Sequence, residues 1–367
     1  MATTPPSHDQ TAAGAIGILI PVFNDWTALG ELLHALDRSL AGHHLRATVY
    51  VVDDGSTTDP GADFPRQGLP SLERIEILAL RRNLGHQRAI AIGLAYVEGQ
   101  QGRCQTLVVM DGDGEDDPDD VPRLLERVRQ EGGEKIVFAE RTRRSESWSF
   151  RLFYAAYRAV HLALIGTSVR VGNFSAIPRG RLESLVVVSE LWNHYAAAAF
   201  KSRQPSVSIR TERARRLHGR SQMNFINLVI HGLSALSVYS EIVGVRLLVA
   251  SLIMIFLSLL GIVTTVAVRA STDWAIPGWA TYTAGILLVV LLQAVMLATL
   301  FSFITLSARN GLTFLPLRDY SYFIAHVRVL GEGRDDTGSP PPRLAPSRRP
   351  DLAPRTSSSG PPSAAAQ

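Results

Sequence analysis

The sequence predicts an α/β domain, built on a mostly parallel β-sheet with helices on both faces, followed by a hairpin of two transmembrane helices. Between residues 15 and about 171, short apolar β-rich runs alternate with amphipathic stretches, which is the pattern of strands covered by helices on both sides. Residues 247–268 and 274–308 carry no charge, and each run is longer than the ~20 residues that cross a bilayer.

Five strands and three helices are predicted in the first domain. The strands are expected at 16–21, 48–53, 75–80, 106–111 and 135–139, and the helices at 26–41, 86–98 and 118–130. Ligands of such sheets bind at the carboxyl ends of the strands. The residues that follow each strand are therefore the candidate site.

The later part of the chain is expected to be organised around a membrane. After the α/β domain (15–220) we expect an interfacial amphipathic segment at 221–244 and two transmembrane helices within 245–310, at about 247–268 and 282–306. A juxtamembrane segment at 311–330 and a disordered tail at 331–367, with eight of the twenty prolines, complete the chain. A buried helix hairpin of a soluble protein is the alternative, which these lengths disfavour.

The arginine distribution predicts the topology of this hairpin. Arginines cluster before the first apolar run and after the second, whereas the connector holds only Arg269. The positive-inside rule therefore places the α/β domain and the tail in the cytoplasm, at the cell (inner) membrane. Residues 1–14 lack lysine and arginine, so they are expected to be a disordered N-terminus rather than a secretory signal.

The composition excludes several classes of protein. The chain has 367 residues, 46% hydrophobic and 19% charged, with a formal net charge of +4. Its single thiol, Cys104, excludes an intrachain disulfide and a cysteine-based zinc or iron–sulfur site. Nearly all basic residues are arginine, which suits a membrane surface or a phosphate ligand. No nucleic acid is expected as a partner.

The densest chemical signal is the acidic run at 111–120, Asp-Gly-Asp-Gly-Glu-Asp-Asp-Pro-Asp-Asp, which follows a predicted buried strand. Asp111 and Asp113 are two residues apart, so both carboxylates can reach one hard divalent cation. Asp119 and Asp120 are better explained as carboxylates at the start of the next helix. An EF-hand is a poor fit because a strand precedes the run and its twelfth position is Pro122.

Three further strand ends carry polar motifs. Val-Val-Asp-Asp-Gly-Ser-Thr at 51–57 offers Asp53 and Asp54 to a base or ribose, although a turn capping a helix explains it equally well. Pro-Val-Phe-Asn at 21–24 adds an aromatic side chain that can pack on a base. Arg-Arg-Asn-Leu-Gly-His-Gln-Arg at 81–88 offers backbone N–H groups and cations to a phosphate.

These four motifs, in this order and followed by a membrane hairpin, resemble glycosyltransferase family two with the GT-A fold. Within it, the chain is similar to the membrane-anchored polyprenyl-phosphate glycosyltransferases, relatives of dolichol-phosphate mannose synthase, over about residues 15 to 325. The resemblance implies a nucleotide-binding role for a set of residues at the strand ends: Pro21, Phe23, Asp53, Asp54, Asn83 and Asp111. It also implies that Asp111 and Asp113 hold Mg²⁺ or Mn²⁺ on the donor diphosphate, Asp113 being catalytic. Glu115 replaces a glutamine of the family and joins the predicted metal ligands.

The resemblance further implies two phosphate-binding segments. The arginine-rich stretch 140–151 would receive the acceptor phosphate through Arg141, Arg144 and Arg151, of which Arg141 and Arg151 are the catalytic candidates. A solvated basic loop at the membrane surface is the alternative. The family's Arg-x-x-Arg-x-x-Gly-x-Ser-Lys loop is retained in four predicted phosphate-binding residues, Arg213, Arg216, Gly219 and Ser221, with Gln222 in place of the lysine. The Asp-x-Gly-x-Phe-Arg motif is altered to Arg-Val-Gly-Asn-Phe-Ser at 170–175, which implies a different sugar or acceptor.

The sequence therefore predicts a metal-dependent glycosyltransferase that moves a sugar from a UDP- or GDP-linked donor to a lipid phosphate acceptor at the membrane. A lipid phosphate is already ionised and needs no strong base. One rival is a sugar or glycolipid hydroxyl acceptor, with Glu190 as the base. The other is a non-catalytic membrane scaffold. A homo-oligomer is compatible with the sequence.

Overall fold

The structure is a computed structural model with one large sheet and one long helix pair. It describes residues 15–100, 104–141, 162, 165–166, 171–212, 214, 233–272, 278–310, 314–330 and 336–338. The predicted N-terminal segment 1–14 lies outside these residues, as does the first half, 221–232, of the predicted interfacial segment 221–244.

The described strands form one mixed sheet. The strands are β1 Ile16–Val22, β2 Ala47–Asp53, β3 Leu72–Leu80, β4 Thr106–Val109, β5 Ile136–Arg141, β6 Ser175–Pro178, β7 Ser206–Thr211, β8 Ile324–Leu330 and β9 Asp336–Gly338. Their order is β7-β5-β6-β4-β1-β2-β3-β8-β9. The centre, β4-β1-β2-β3, is parallel, and β6 and β8 pair antiparallel with β4 and β3. The carboxyl ends of the four central strands therefore meet at one edge.

Helices cover both faces of the sheet. They are α1 Trp26–Gly42, α2 His86–Gly99, α3 Asp120–Gln130, α4 Arg179–Leu185 and α5 Tyr195–Lys201. One buried cluster joins α1 and α3 to the sheet and a second joins α2, α4 and α5 to the opposite face. Side chains alternate along a strand, so Ile18 and Ile20 of β1 point into the first cluster and Leu19 into the second.

These elements confirm the predicted fold class. All five predicted strands and three predicted helices are present, with ends that differ by a few residues. The main difference is at the fourth strand, which ends at Val109 rather than at residue 111. Asp111 consequently belongs to the turn after the strand, where its backbone N–H bonds to a side chain instead of to the sheet.

Two long apolar helices follow the sheet: α6 Ser240–Ser271 and α7 Trp279–Asn310. Both are long and apolar enough to cross a membrane, and only 11% and 6% of their most apolar windows are buried. They are therefore not the core helices of a soluble domain. Helix α6 begins at Ser240, so residues 240–244 belong to it and not to the predicted interfacial segment.

Small side chains let α6 and α7 pack closely. The buried residues of α6 are Gly244, Ser251, Ser258 and Thr265, one on every second turn. A Cβ at Gly244 would lie 2.6 Å from Thr305 Oγ1 of α7, and one at Gly261 would lie 2.9 Å from Leu287 Cδ1. Such close approach of small residues is typical of helix pairs that associate in lipid.

The segment after α7 returns to the sheet, which corrects the predicted boundary at 311–330. Residues 316–319 form the short helix α8, and β8 then pairs with β3 over Ile75–Leu80. Tyr320 is buried against Tyr96 of α2, with ring centroids 6.3 Å apart. The predicted disordered tail also contains one short strand, β9, paired with β8, whereas 339–367 lie outside the described residues. The α/β domain thus includes chain from both sides of the helix pair.

Candidate active site

The four sequence motifs meet at the carboxyl edge of the central strands. A Cβ at Gly112 would lie 3.0 Å from the Pro21 carbonyl oxygen. Gly55 has a φ of 71°, and a Cβ there would lie 2.6 Å from the Asn83 backbone nitrogen. Only glycine fits these two contacts, since each turn is pressed against the backbone of its neighbour. The glycines of the motifs therefore bring the predicted site residues together.

Asn24 joins the turns after β1 and β2. It adopts a left-handed conformation with a φ of 55°, and its side-chain oxygen accepts hydrogen bonds from the backbone nitrogens of Thr57 (2.8 Å) and Thr58 (3.2 Å). Beside it, Phe23 is 44% exposed at the rim of the cleft, while Pro21 is buried within β1. Phe23 is thus placed where an aromatic ring can meet a ligand.

Asp54 is committed to the loop that follows β3. Its two carboxylate oxygens accept hydrogen bonds from the backbone nitrogens of Leu84 (2.7 Å) and Gly85 (2.8 Å). Burial raises the pKa of Asp54, and these two hydrogen bonds oppose that rise. Asp53 binds Ser56 N at 2.9 Å, and no helix forms between β2 and β3, a stretch that the structure describes completely. Direct nucleotide contacts of both carboxylates remain predictions.

The acidic turn after β4 is shaped by Asp116, a carboxylate for which the sequence alone predicts no separate role. Asp116 is buried; it accepts a hydrogen bond from Asp111 N at 2.9 Å and one from Arg141 Nη2 at 2.7 Å. Asp113 Oδ1 accepts a hydrogen bond from Glu115 N at 3.0 Å. Asp116 and Arg141 therefore fix the backbone from which Asp111 and Asp113 project.

Opposite charges keep one of these carboxylates ionised. Burial acts to raise the pKa of Asp111, but the attraction of His86 and Arg141 outweighs it, and the pKa lies below its usual range. Burial raises the pKa of Asp116, and the neighbouring charge of Asp111 raises it further. Asp111 is consequently a permanent anion of the cleft at neutral pH.

Three side chains from other elements form a network that reaches Asp111. His86 Nε2, in the first turn of α2, lies 3.1 Å from Asp111 Oδ1, and Asn173 Nδ2 lies 3.0 Å from the same His86 nitrogen. Gln87 donates a hydrogen bond to Asn173 Oδ1 at 3.2 Å and accepts one from Tyr195 N at 2.7 Å. This network connects α2, the turn before β6 and α5 to the acidic turn.

The acidic turn can supply only some of the ligands of a divalent cation. Among the described residues, no three histidine, cysteine or acidic side chains converge as a metal cluster. Asp111 Oδ1 is nevertheless buried, and it lies 3.1 Å from His86 Nε2. Two carboxylates fit a hard cation that takes its other oxygen ligands from a diphosphate and water. Glu115 Oε2 instead lies 3.6 Å from Arg141 Nη1, so its role as a metal ligand stays a prediction.

Of the predicted phosphate-binding arginines, the structure places Arg141. Its contacts are with Asp116 and Glu115, which assigns it to the acidic turn. The other predicted phosphate ligands lie outside the described residues: Arg144, Arg151, Arg213, Arg216, Gly219 and Ser221. The neighbouring Ala214 N donates to the Glu115 carbonyl oxygen at 3.1 Å. Ala214, the described residue of the segment 213–222, therefore lies beside the acidic turn.

Glu190, the base that a hydroxyl acceptor would require, is held in an ion pair. Its Oε1 lies 2.6 Å from Lys201 Nζ, and its Oε2 accepts a hydrogen bond from Ser189 Oγ at 3.1 Å. Burial acts to raise the pKa of Glu190, but the bond to Lys201 outweighs it and the pKa is lowered. A carboxylate with a lowered pKa is a weak proton acceptor.

Comparison with known proteins finds similarity in the α/β domain. Residues 17–185 match the model of glycosyl transferase family 2, and this range contains the four motifs and the acidic turn. This part of the chain is therefore similar to family 2 glycosyl transferases.

Similar proteins include two bacterial undecaprenyl-phosphate 4-deoxy-4-formamido-L-arabinose transferases. The one from Erwinia tasmaniensis is 28% identical over 47% of this chain and 50% of its own length. The one from Edwardsiella ictaluri is 27% identical over 62% of this chain and 72% of its own length. The chain spans about half the length of the first of these relatives. A solved structure, glucosyl-3-phosphoglycerate synthase from Mycobacterium tuberculosis, is 17% identical with a TM-score of 0.45 and covers 64% of this chain and 81% of its own.

Proposed function

We propose that the protein is a membrane glycosyltransferase that moves a sugar from a nucleotide-sugar donor to a polyprenyl phosphate. The observation that carries the proposal is the position of the acidic turn. Asp111 and Asp113 lie at the carboxyl edge of a sheet whose last strands follow two membrane-length helices. The relatives named above are lipid-phosphate sugar transferases, which supports the same acceptor class.

The donor would occupy the cleft between the turns after β1, β2 and β4. Phe23 offers an exposed ring to the base, and Asp53 offers a carboxylate to the base or ribose. The donor is a UDP- or GDP-linked sugar in this proposal. Asp113 and the ionised Asp111 would hold Mg²⁺ or Mn²⁺ beside the donor diphosphate. The metal would neutralise negative charge on the departing nucleoside diphosphate.

The proposed acceptor is a phosphate because arginines follow β5 and β7 in the sequence and Glu190, the candidate base, is held in an ion pair. The phosphate oxygen is already ionised, so it can attack the anomeric carbon without losing a proton. Arg144, Arg151, Arg213 and Arg216 are the proposed acceptor or diphosphate ligands, since a guanidinium matches phosphate geometry. A hydroxyl acceptor is disfavoured because Lys201 holds Glu190 at 2.6 Å.

The sheet supports a cytoplasmic domain anchored by a hairpin. Strand β3 precedes α6 in the chain and β8 follows α7, yet the two strands pair in one sheet. Both ends of the helix pair therefore lie on one side of a membrane that the pair crosses. The arginines that flank the pair place this side in the cytoplasm, where the active site would reach a lipid that stays in the inner membrane.

The test is a transfer assay with purified full-length protein in detergent. A panel of radiolabelled UDP- and GDP-sugars is incubated with polyprenyl phosphate and Mg²⁺ or Mn²⁺, and the organic phase is counted. Label in a lipid product that depends on the lipid phosphate is the expected result. Nucleotide-sugar hydrolysis without transfer to lipid would refute the proposed acceptor. If the protein neither binds nor hydrolyses any donor, the result would favour the non-catalytic scaffold.

A further inference from the structure

An aromatic cluster lies between the α/β domain and the end of the second apolar helix. The ring centroids of Trp192 and Phe314 are 3.9 Å apart, those of Trp192 and Phe323 5.1 Å, and those of Phe314 and Phe323 5.7 Å. All three side chains are only partly buried. Phe314 follows Asn310, the last residue of α7, by four positions. We name Trp192, Phe314 and Phe323 the aromatic platform.

Arg88 lies on this platform. Its guanidinium carbon is 5.2 Å from the centre of a Trp192 ring, and the residue is exposed. Within the part of the chain that the structure describes, no carboxylate lies within ion-pair distance of Arg88. An aromatic face holds a guanidinium in place without neutralising it. Arg88 is therefore an oriented cation whose charge is available to an anion.

Arg88 is also close in the chain to His86, which contacts the acidic turn. It is two residues from His86 in the first turn of α2, and His86 Nε2 lies 3.1 Å from Asp111 Oδ1. One side of this helical turn thus meets the proposed donor site, and the other meets the aromatic platform. An anion bound by Arg88 would lie between the donor cleft and the end of an apolar helix.

We propose that Arg88 binds the phosphate of the lipid acceptor and that the aromatic platform seats its first isoprene units. The inference rests on the proposed function and adds to it the route by which the acceptor enters. The charge of Arg88 complements a phosphate monoester, and the partly exposed rings complement an unsaturated apolar chain. Phe314 of the platform follows α7 by four positions in the chain, and the apolar side chains of α7 are exposed along the helix. A free sugar phosphate would use Arg88 but would have no need of the rings.

The test compares Michaelis constants for acceptor and donor in the full-length protein. Arg88→Ala and Trp192→Leu are assayed with a polyprenyl phosphate in detergent, and Arg38→Ala, an exposed arginine on α1, is the matched control. We expect Arg88→Ala to raise the acceptor KM by about tenfold or more, because a charge-assisted hydrogen bond is lost. Trp192→Leu should raise the acceptor KM as well. The donor KM should change by no more than about twofold in both variants, which is a smaller change than the loss of one such hydrogen bond would cause.

Thermal unfolding of each variant shows whether it is folded. If Arg88→Ala unfolds early, Arg88→Gln, which keeps a long polar side chain without the charge, gives the same comparison. An acceptor KM that is unchanged when the charge of Arg88 is removed overturns this inference alone, since wild-type transfer still supports the proposed function. Equal increases in the donor and acceptor KM would also overturn it, because they indicate a general distortion. If the wild-type protein transfers no sugar to a polyprenyl phosphate, both proposals fail.

Discussion

Four aspartates of the acidic turn divide into two groups according to their contacts. Asp116 binds the backbone of Asp111 and the side chain of Arg141, and Asp120 binds Arg123 at the start of α3. These two carboxylates maintain the local fold. Asp111 and Asp113 are the pair that the spacing in the sequence predicts as ligands for a cation and a diphosphate.

Asp113→Asn should reduce sugar transfer by at least about a hundredfold, because a neutral amide binds a divalent cation weakly and the lost stabilisation is ~2.7 kcal/mol or more. The measurement is turnover of purified protein with saturating donor and Mg²⁺ or Mn²⁺. The oxygen that accepts from Glu115 N is retained in the amide, so the variant should unfold at nearly the wild-type temperature.

Asp119→Asn is the matched control. Asp119 lies in the same acidic run but is exposed, and its backbone nitrogen donates to Asp117. Its substitution should leave turnover near the wild-type level. Near-normal turnover of Asp113→Asn with added metal would contradict the metal assignment.

Asn173 is expected to act as a positioning residue for the acidic turn. Asn173→Ala removes the amide that lies 3.0 Å from His86 Nε2 and accepts from Gln87. The metal concentration for half-maximal turnover should rise about tenfold, as is typical when an outer partner of a metal ligand is lost. Electron paramagnetic resonance of Mn²⁺ binding in the presence of the nucleoside diphosphate reads the same change without turnover. An unchanged Mn²⁺ affinity would limit Asn173 to a structural role.

The residues whose positions the sequence predicts are those that belong to a pattern of neighbouring residues in the chain. A buried strand that ends in Asp-Gly-Asp predicts where Asp111 and Asp113 lie, because the strand end defines the sheet edge. His86 and Asn173 meet Asp111 from distant positions in the chain. No local pattern distinguishes them from ordinary helix and turn residues. The sequence does not single out Asp116 from its acidic neighbours, because it differs from Asp117 and Asp119 in being buried, which no local pattern reports.

At the scale of elements, the segment after β7 carries arginines that are predicted to bind phosphate. Ala214 N binds the Glu115 carbonyl oxygen at 3.1 Å, so this residue of the segment lies beside the acidic turn. Arg216→Lys keeps the charge and removes the bidentate fork. If Arg216 binds a phosphate, turnover should fall by at least about tenfold, or ~1.4 kcal/mol in the barrier.

Membrane association is the second measurement on Arg216→Lys. A loop that only attracts anionic lipid contributes about 1 kcal/mol for each basic residue, whichever cation it carries. Flotation of the variant with liposomes should therefore equal that of the wild-type protein under both explanations. Full activity of the lysine variant would leave lipid attraction as the role of this loop.

Elements with strong periodicity were predicted within a few residues, and elements with weak patterns were missed. The helices α1 to α3 and the strands β1 to β5 carry apolar repeats or continuous apolar runs. The strand β6, Ser-Ala-Ile-Pro, holds one large aliphatic residue, whereas the equally short β4, Thr-Leu-Val-Val, holds three in a row. The strand β8 follows a membrane span, which made a juxtamembrane segment the simpler interpretation. Its place beside β3 depends on contacts across more than two hundred residues, which sequence patterns do not report.

At the scale of the whole molecule, the β3–β8 pairing predicts that both ends of the helix pair lie on one side of the membrane, and the flanking arginines predict that this side is the cytoplasm. A reporter fused after Ala308 should therefore behave as cytoplasmic, and one inserted near Thr272 as external. Paired fusions of alkaline phosphatase and green fluorescent protein measure both positions. Two reporters on the same side would show that the helix pair does not cross the membrane.

The place of β8 in the sheet also sets an order on biosynthesis. While the ribosome is making residues 240–310, β3 is an unpaired edge strand, with backbone donors and acceptors that invite association with other chains. Its partner emerges only after both apolar helices have been made and can enter the lipid. The loop after β3 is completed at the same moment, because Arg81 N binds the Phe323 carbonyl oxygen at 2.9 Å. The cleft is therefore finished last, after both apolar helices have been made.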